Sequence, residues 1–215
     1  AEAVSLLEDP KCGPFTLALA GNPLVGPQTG LGVEVYKAAL RAFVGTKQLD
    51  KAEGAMKSLD AMVRQRGDAE SSRNLTQIYI RLGRELQDQM DRLRKEGKTD
   101  ELAKVSQGFE LFLAQISGRD AGNSFHSLSW VAETFYSLGS GHDPGLKDLP
   151  PAAKNYDDKA AAAYGKILER AKSDPSFAPN PESVASVRVR LARCMRRLGQ
   201  YSESLDLLTE VLKER

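Results

Sequence analysis

A cluster of arginines near the end of the printed sequence is its strongest candidate for chemistry. The cluster consists of Arg188, Arg190, Arg193, Arg196 and Arg197. Those at positions 190, 193 and 197 are spaced three and four residues apart, so in a helix they share one face. Guanidinium groups bind carboxylates and phosphates through paired hydrogen bonds. The cluster therefore has the chemistry to bind a carboxylate, an acidic peptide or a phosphate.

The same arginines also have a purely structural interpretation. Arginines on a helix surface commonly lay their aliphatic stems over neighbouring side chains or pair with acids nearby. Glu182, Glu203 and Asp206 lie close enough in the sequence to be such partners. On the sequence alone, a ligand site and a solvated helix face both stay open.

Other residues that often carry chemistry form no constellation. The two histidines, His126 and His142, have no Cys, His or carboxylate at metal-ligand spacing. The glycines at 139–141 and the Gly-Thr-Lys at 45–47 lack the strand, loop and helix pattern of a phosphate-binding loop. We therefore predict no catalytic residue, no bound metal and no cofactor, and hence no enzyme.

Two tripeptides match recognition signals but have simpler explanations. Residues 66–68 spell Arg-Gly-Asp, yet a helix stop at Gly67 followed by a helix cap at Asp68 accounts for them. Residues 74–76 fit the glycosylation pattern but lie within a predicted helix. Neither is assigned as a site. The aromatic side chains of Trp130 and Phe135 are predicted to lie in the core.

Composition narrows the classes of partner. Lys and Arg number 30 and Asp and Glu number 29, so no overall field favours nucleic acid or anionic lipid. No apolar run approaches the ~18 residues that cross a bilayer, so no membrane insertion is predicted. The two cysteines, Cys12 and Cys194, show no motif spacing. They fit a reducing compartment and favour the cytoplasm, but a removed targeting segment would leave the localisation open.

The arginine cluster lies within two clear helical patterns. Apolar residues recur three and four apart from Val184 to Leu198 and again from Tyr201 to Leu212. Gly199 separates the two patterns, which together predict a helix hairpin. In the second helix the predicted core stripe is Tyr201, Leu205, Leu208 and Leu212.

Similar patterns fill most of the chain. They predict helix pairs over 31–66, 69–117, 122–173 and 181–215, with Gly139 as one of the helix stops. No segment shows the alternation of a strand. Residues 1–30 read as the tail of a preceding helix followed by an irregular segment rich in proline and glycine. The predicted class is therefore all-α, with about eight helices.

The spacing of residues within these helix pairs resembles that of the tetratricopeptide repeat family. The match is strongest over 184–215, and Ser204 stands where the family usually has Ala. The matching positions there are Leu191, Ala192, Met195, Leu198, Gly199, Tyr201, Ser204, Leu208, Val211 and Leu212. Elsewhere the match is degenerate: the breaks at 47, 97, 139 and 199 lie 50, 42 and 60 residues apart, against ~34 in a regular array.

The resemblance implies an α-solenoid of antiparallel helix hairpins whose first helices line a concave ligand groove. The groove positions that it implies are Ser186, Val189, Arg190, Arg193, Arg196 and Arg197. The function that follows is a scaffold or adaptor that binds a protein, a peptide or a helix, with an acidic ligand as the sharper version. The alternatives are a docking or regulatory domain of a larger enzyme and a helical-repeat RNA binder, although the balanced charge argues against nucleic acid.

Overall fold

A computed structural model describes residues 2–26, 29–67, 69–119, 122–141 and 149–213. Within these ranges the chain is helical and has no strand, which confirms the predicted all-α class. The chain divides into two compact units, unit 1 over Ala1–Gly122 and unit 2 over Asn123–Arg215. None of the described helices is both long enough and apolar enough to cross a bilayer.

Unit 1 consists of two helix hairpins preceded by two short helices. In chain order its described α-helices are α1 (Glu2–Leu7), α2 (Pro14–Leu19), α3 (Gly30–Gly45), α4 (Leu49–Arg66), α5 (Ala69–Lys95) and α6 (Thr99–Gly118), and a short 3-10 helix, Pro23–Val25, lies between α2 and α3. Helix α3 packs against α4, and α5 packs against α6. The second hairpin contacts the first mainly through α4, which touches both α5 and α6.

Unit 2 has four described helices, and each packs against its neighbour in sequence. They are α7 (Phe125–Gly141), α8 (Pro151–Ser173), α9 (Pro181–Arg197) and α10 (Tyr201–Lys213). Helix α8 lies against both α7 and α9, and α9 lies against α10. Asn180 caps α9 by accepting a hydrogen bond from the Ser183 amide at 2.8 Å, and Pro181 takes the first helical position, where no amide is needed.

Three hairpin turns share one backbone geometry. Each turn has a residue with positive φ: Lys47, Gly97 and Gly199. In each, the following amide donates to the carbonyl five residues earlier, at 2.8–3.0 Å, and the left-handed residue donates to the carbonyl three residues earlier. This bonding satisfies carbonyls at the helix end that would otherwise lack donors. The turns joining α3 to α4, α5 to α6 and α9 to α10 are therefore the same motif.

The first thirty residues contain more helix than the sequence predicts. The prediction of an irregular segment is wrong over Pro14–Leu19, which forms α2 with proline in its first turn. Phe15 anchors this helix, because its buried ring meets the rings of Tyr36 and Phe43 edge-on at 5.2 and 5.3 Å. The described chain thus has ten α-helices, the eight expected from periodicity plus α1 and α2.

The sequence predicted that a helix ends at Gly139, and the structure contradicts this prediction. Helix α7 continues through it to Gly141. A Cβ placed on Gly139 would lie 2.8 Å from the Asp157 carboxylate and 3.2 Å from the Ala153 carbonyl, both on α8. Glycine is therefore needed here for the close approach of α7 and α8, rather than for a turn.

Most apolar positions that the sequence predicts for the core are buried, but Ala38 of α3 is exposed, and α5 and α10 also depart from the prediction. In α5 the fully buried ring is that of Tyr79, whose hydroxyl donates to the Met56 carbonyl at 3.0 Å, while the predicted Ile78 is half-buried. In α10 the predicted core stripe is wrong: its members lie on the surface. Tyr201, Leu205, Leu208 and Leu212 are 66%, 64%, 39% and 72% exposed.

Helix α10 buries a different face. Ser204 and Val211 are buried, and the Ser204 hydroxyl donates to the Ala192 carbonyl of α9 at 2.8 Å. A small residue at position 204 permits this close contact. Helix α10 packs chiefly against α9, so the face about a quarter-turn away, which carries the apolar stripe, has no helix over it among the described residues.

Candidate ligand pocket in the second unit

A pocket of about 280 Å³ opens between α7 and α9 in unit 2. Its lining residues are Glu133 and Tyr136 from α7, Tyr164 from α8, and Arg190 and Arg193 from α9. Helices α7 and α9 are the first helices of the two successive hairpins predicted from the sequence. The pocket brings together two of the six predicted groove residues.

The buried face of α9 sets the direction of its arginines. Val187, Leu191 and Cys194 are buried and fix one side of the helix in the core. Burial raises the pKa of the Cys194 thiol to about 12, so at neutral pH it is a protonated, apolar packing group. Positions 190, 193 and 197 then lie together beside this buried stripe.

Arg190 forms an ion pair with Glu133 across the gap between α9 and α7. Both side chains are substantially exposed, so water screens the pair and its contribution to stability is small. The pair closes one side of the pocket. It also places a carboxylate among the lining residues, which moderates the positive charge of the arginines.

Arg197 lies outside the pocket lining, and most of its side chain is covered by protein. Its Nε donates to Asp157 Oδ2 of α8 at 2.7 Å, and the Asp157 side chain is fully buried. The guanidinium carbon also lies 5.6 Å from the centroid of the Tyr136 ring. This arginine joins α9 to α8 and α7, which makes it structural.

Arg193 is the exposed cation of the pocket. It lies near Tyr164, whose pKa is raised by burial, with the charge of Arg193 acting in the opposite direction. The Tyr164 ring is buried and forms part of the pocket wall. Arg193 thus presents an exposed guanidinium beside a tyrosine surface.

The other members of the predicted groove lie outside the pocket lining. Arg196 and Ser186 are exposed, and Val189 is half-buried. Arg188 approaches Glu210 of α10 at 3.5 Å. Among the described contacts, Arg190 pairs with Glu133, Arg197 with Asp157 and Arg188 with Glu210, whereas pairing with Glu182, Glu203 or Asp206 stays a prediction.

Sequence reasoning missed Glu133, Tyr136 and Asp157. Asp157 did carry a signal, because it falls on the apolar stripe of α8 between Ala153 and Ala160. An acid at a core position among small residues indicates a buried partner. Its partner lies 40 residues further along the chain, however, and no spacing rule connects the two.

A second pocket, of about 270 Å³, lies in unit 1 between α3 and α5. Lys37 is the only lysine among the lining residues, and it forms an ion pair with Glu34 of the same helix at 2.7 Å. The polar groups that remain are Ser71 and Asn74 of α5. This pocket therefore lacks the excess positive charge of the pocket in unit 2.

The remaining candidates from the sequence take ordinary structural positions. His126 is exposed on α7, and His142 lies outside the described residues. Gly67 ends α4 with φ of +70°, as predicted, whereas Asp68 lies outside the described residues. Residues 74–76 lie within α5, where Thr76 is buried and Asn74 is exposed. Phe135 is buried as predicted and Trp130 is half-buried.

Among the described residues, no group of three or more His, Cys, Asp or Glu side chains is arranged so that it could hold a metal ion.

No family model matches the chain, and no curated protein or solved structure matches it either. The resemblance to tetratricopeptide repeats therefore rests on residue types and their spacing.

Proposed function

We propose that the protein is an interaction scaffold of tetratricopeptide-like hairpins, and that it binds an acidic peptide segment in the pocket between α7 and α9. The observation that carries the proposal is the exposed guanidinium of Arg193 in a pocket walled by two tyrosines. The shared geometry of the three hairpin turns supports the repeat assignment.

Charge supports a carboxylate as the bound group. The lining has two arginines and one glutamate, which leaves a net charge of +1. The Arg197–Asp157 pair behind the lining is neutral overall. An incoming carboxylate would therefore meet an uncompensated positive charge, and Arg193 can bind it with two parallel hydrogen bonds.

Size supports a side chain or a chain terminus as the bound group. At about 280 Å³ the pocket is at the lower limit of the ~300–1,000 Å³ typical of small-molecule sites. One Asp or Glu side chain with an adjacent residue fits such a space, and the tyrosines offer apolar walls to that neighbour. The rest of the peptide would lie along α7 and α9.

The test uses a library of fluorescein-labelled peptides in which Asp and Glu are compared with Asn and Gln at each position. We expect Arg193→Glu to weaken binding of the acidic peptides at least about tenfold, the equivalent of ~1.4 kcal/mol. The matched control is Arg196→Glu, which makes the same charge change on the same helix outside the pocket and should alter affinity less than about twofold.

Equal losses in the two variants would contradict the pocket as the binding site. Circular dichroism should be unchanged in both variants, since both arginines are exposed. If no acidic peptide binds while a generic single-stranded RNA does, with affinity falling steeply as salt rises, the RNA-binding alternative replaces the proposal.

A further inference from the structure

The hydroxyl of Tyr164 is a buried polar group that the described fold leaves unused. Tyr164 is only 1% exposed, and its hydroxyl forms no hydrogen bond to any other described residue. A buried hydroxyl that lacks a partner costs folding free energy, so such groups nearly always bond to protein, to water or to a ligand. The position of this hydroxyl therefore indicates where a bound group would complete the structure.

The pocket between α7 and α9 is the place where this hydroxyl can meet a partner. Tyr164 of α8 lines that pocket together with Tyr136 of α7 and Arg193 of α9. Burial raises the pKa of Tyr164, and the charges of Cys194, Tyr136 and Arg193 also act on it, so its hydroxyl lies near all three. Because these neighbours belong to α7 and α9, the hydroxyl points from α8 towards the pocket. It is protonated at neutral pH and can donate a hydrogen bond.

We propose that Tyr164 is a second binding residue of this pocket, and that its hydroxyl donates a hydrogen bond to the carboxylate bound by Arg193. The proposal rests on the proposed binding of acidic peptides, and it adds a buried donor to the exposed cation. A carboxylate has about four lone-pair sites, so it can accept from the guanidinium and from the hydroxyl together. Hydrogen bonds to an ionised acceptor are roughly twice as strong as neutral ones. The hydroxyl should therefore favour Asp or Glu over Asn or Gln.

Tyr79 of unit 1 provides the contrast, because its hydroxyl already has a partner in the protein. The Tyr79 ring is fully buried, and its hydroxyl donates to the Met56 carbonyl at 3.0 Å. Loss of that hydroxyl removes a bond between α5 and α4. Loss of the Tyr164 hydroxyl, in contrast, breaks no hydrogen bond among the described residues. The two tyrosines should therefore respond in opposite ways when each is replaced by phenylalanine.

Replacement of each tyrosine by phenylalanine removes one oxygen atom and keeps the ring. The probes are the fluorescein-labelled peptides that carry Asp or Glu, and the matched peptides that carry Asn or Gln. Tyr164→Phe should weaken binding of the acidic peptides about tenfold, and binding of the amide peptides less. The control Tyr79→Phe, which lies outside the pocket lining, should leave the affinity for both sets unchanged.

Urea unfolding followed by circular dichroism separates ligand binding from a structural role. Tyr164→Phe should leave the free energy of unfolding unchanged or raise it, since it removes a buried polar group with no described partner. Tyr79→Phe should lower the free energy of unfolding, because it removes a hydrogen bond between two helices. Arg193→Ala combined with Tyr164→Phe should weaken binding less than the product of the single effects, since both residues contact one carboxylate.

The outcomes distinguish this proposal from the peptide site on which it rests. If the acidic peptides bind wild type and Tyr164→Phe equally well, the role of Tyr164 is wrong and the peptide site stands. If no acidic peptide binds the wild type, both proposals are wrong. If Tyr164→Phe destabilises the protein as much as Tyr79→Phe, the hydroxyl has a structural partner, which overturns its assignment to a ligand.

Discussion

The two units use the same buried contact in different surroundings. In unit 1, Asp60 of α4 binds Arg119, just after α6, at 2.7 Å, and the guanidinium lies 5.3 Å from the Tyr79 ring of α5. In unit 2, Asp157 of α8 binds Arg197 of α9, also at 2.7 Å, beside the Tyr136 ring of α7. Each unit thus joins two hairpins through a buried aspartate, an arginine and a tyrosine.

The comparison separates the roles of arginines that look alike in the sequence. Arg197 corresponds to Arg119, which has its side chain buried and also donates to the Ser72 carbonyl at 3.1 Å. One turn before Arg119, Gln115 also donates to Asp60, whereas Arg193, one turn before Arg197, is exposed and lines the pocket. A single arginine-rich helix therefore supplies one structural cation and one cation suited to a ligand.

The largest expected effect comes from removing one partner of a buried pair. Asp60→Ala leaves the buried Arg119 guanidinium without its carboxylate and should lower the free energy of unfolding by about 3–5 kcal/mol. Arg197→Ala leaves the fully buried Asp157 carboxylate without its cation and should cost a similar amount, about 3–5 kcal/mol. Urea unfolding followed by circular dichroism measures both.

The matched control for this stability series is Arg193→Ala. Arg193 is exposed, so its removal should change the free energy of unfolding by less than ~0.5 kcal/mol. If Arg193→Ala destabilises the protein as much as Arg197→Ala, the two arginines share a structural role and the comparison between the units fails.

A smaller effect is expected from the glutamate that lines the pocket. Glu133→Gln removes the partner of Arg190 and raises the net charge of the lining from +1 to +2. Affinity for acidic peptides should rise about two- to fivefold, which is the range of an exposed ion pair. The corresponding change in unit 1, Glu34→Gln, should leave affinity unchanged. A loss of affinity in Glu133→Gln would mean that Glu133 itself binds the peptide.

The subtlest difference between the units concerns their cysteines. Cys12 is exposed in unit 1, and its hydrogen bond to Asp9, at 3.4 Å, raises the pKa of the thiol. Cys194 is buried in unit 2, where burial raises its pKa to about 12. At pH 8, iodoacetamide should therefore modify Cys12 in the native protein and Cys194 only after unfolding, as measured by mass spectrometry.

The control for the labelling experiment is Asp9→Asn. Removal of the carboxylate should lower the pKa of Cys12, raise the thiolate fraction at pH 8 and speed its modification. Equal labelling of Cys12 and Cys194 in the native protein would show that α9 opens readily, contrary to its buried packing.

The helices could be predicted from the sequence because their signals are local. Apolar spacing located α3 to α10, and the glycines at 97 and 199 marked two of the hairpin turns. Helix α2 was missed because six residues that begin with proline are too few to show a period. The α10 stripe was assigned to the core because periodicity identifies an apolar face without showing what covers it.

The site depended on contacts that local patterns do not encode. The sequence placed Arg190, Arg193 and Arg197 on one face, and in the structure Arg190 and Arg193 line one pocket while Arg197 binds Asp157. It did not separate Arg197 from Arg193, because the separation depends on Asp157, 40 residues earlier. Gly139 shows the same difficulty. This glycine is required because α8 lies close to it, but the sequence does not show that distance, so Gly139 was predicted to end a helix.

The contacts between neighbouring helices also bear on how the chain is made. Helices α7 to α10 each pack against the next one in sequence. Such contacts close short stretches of chain, which costs little entropy and favours rapid folding. Each hairpin can therefore form soon after its second helix leaves the ribosome, so the order of synthesis becomes the order of folding.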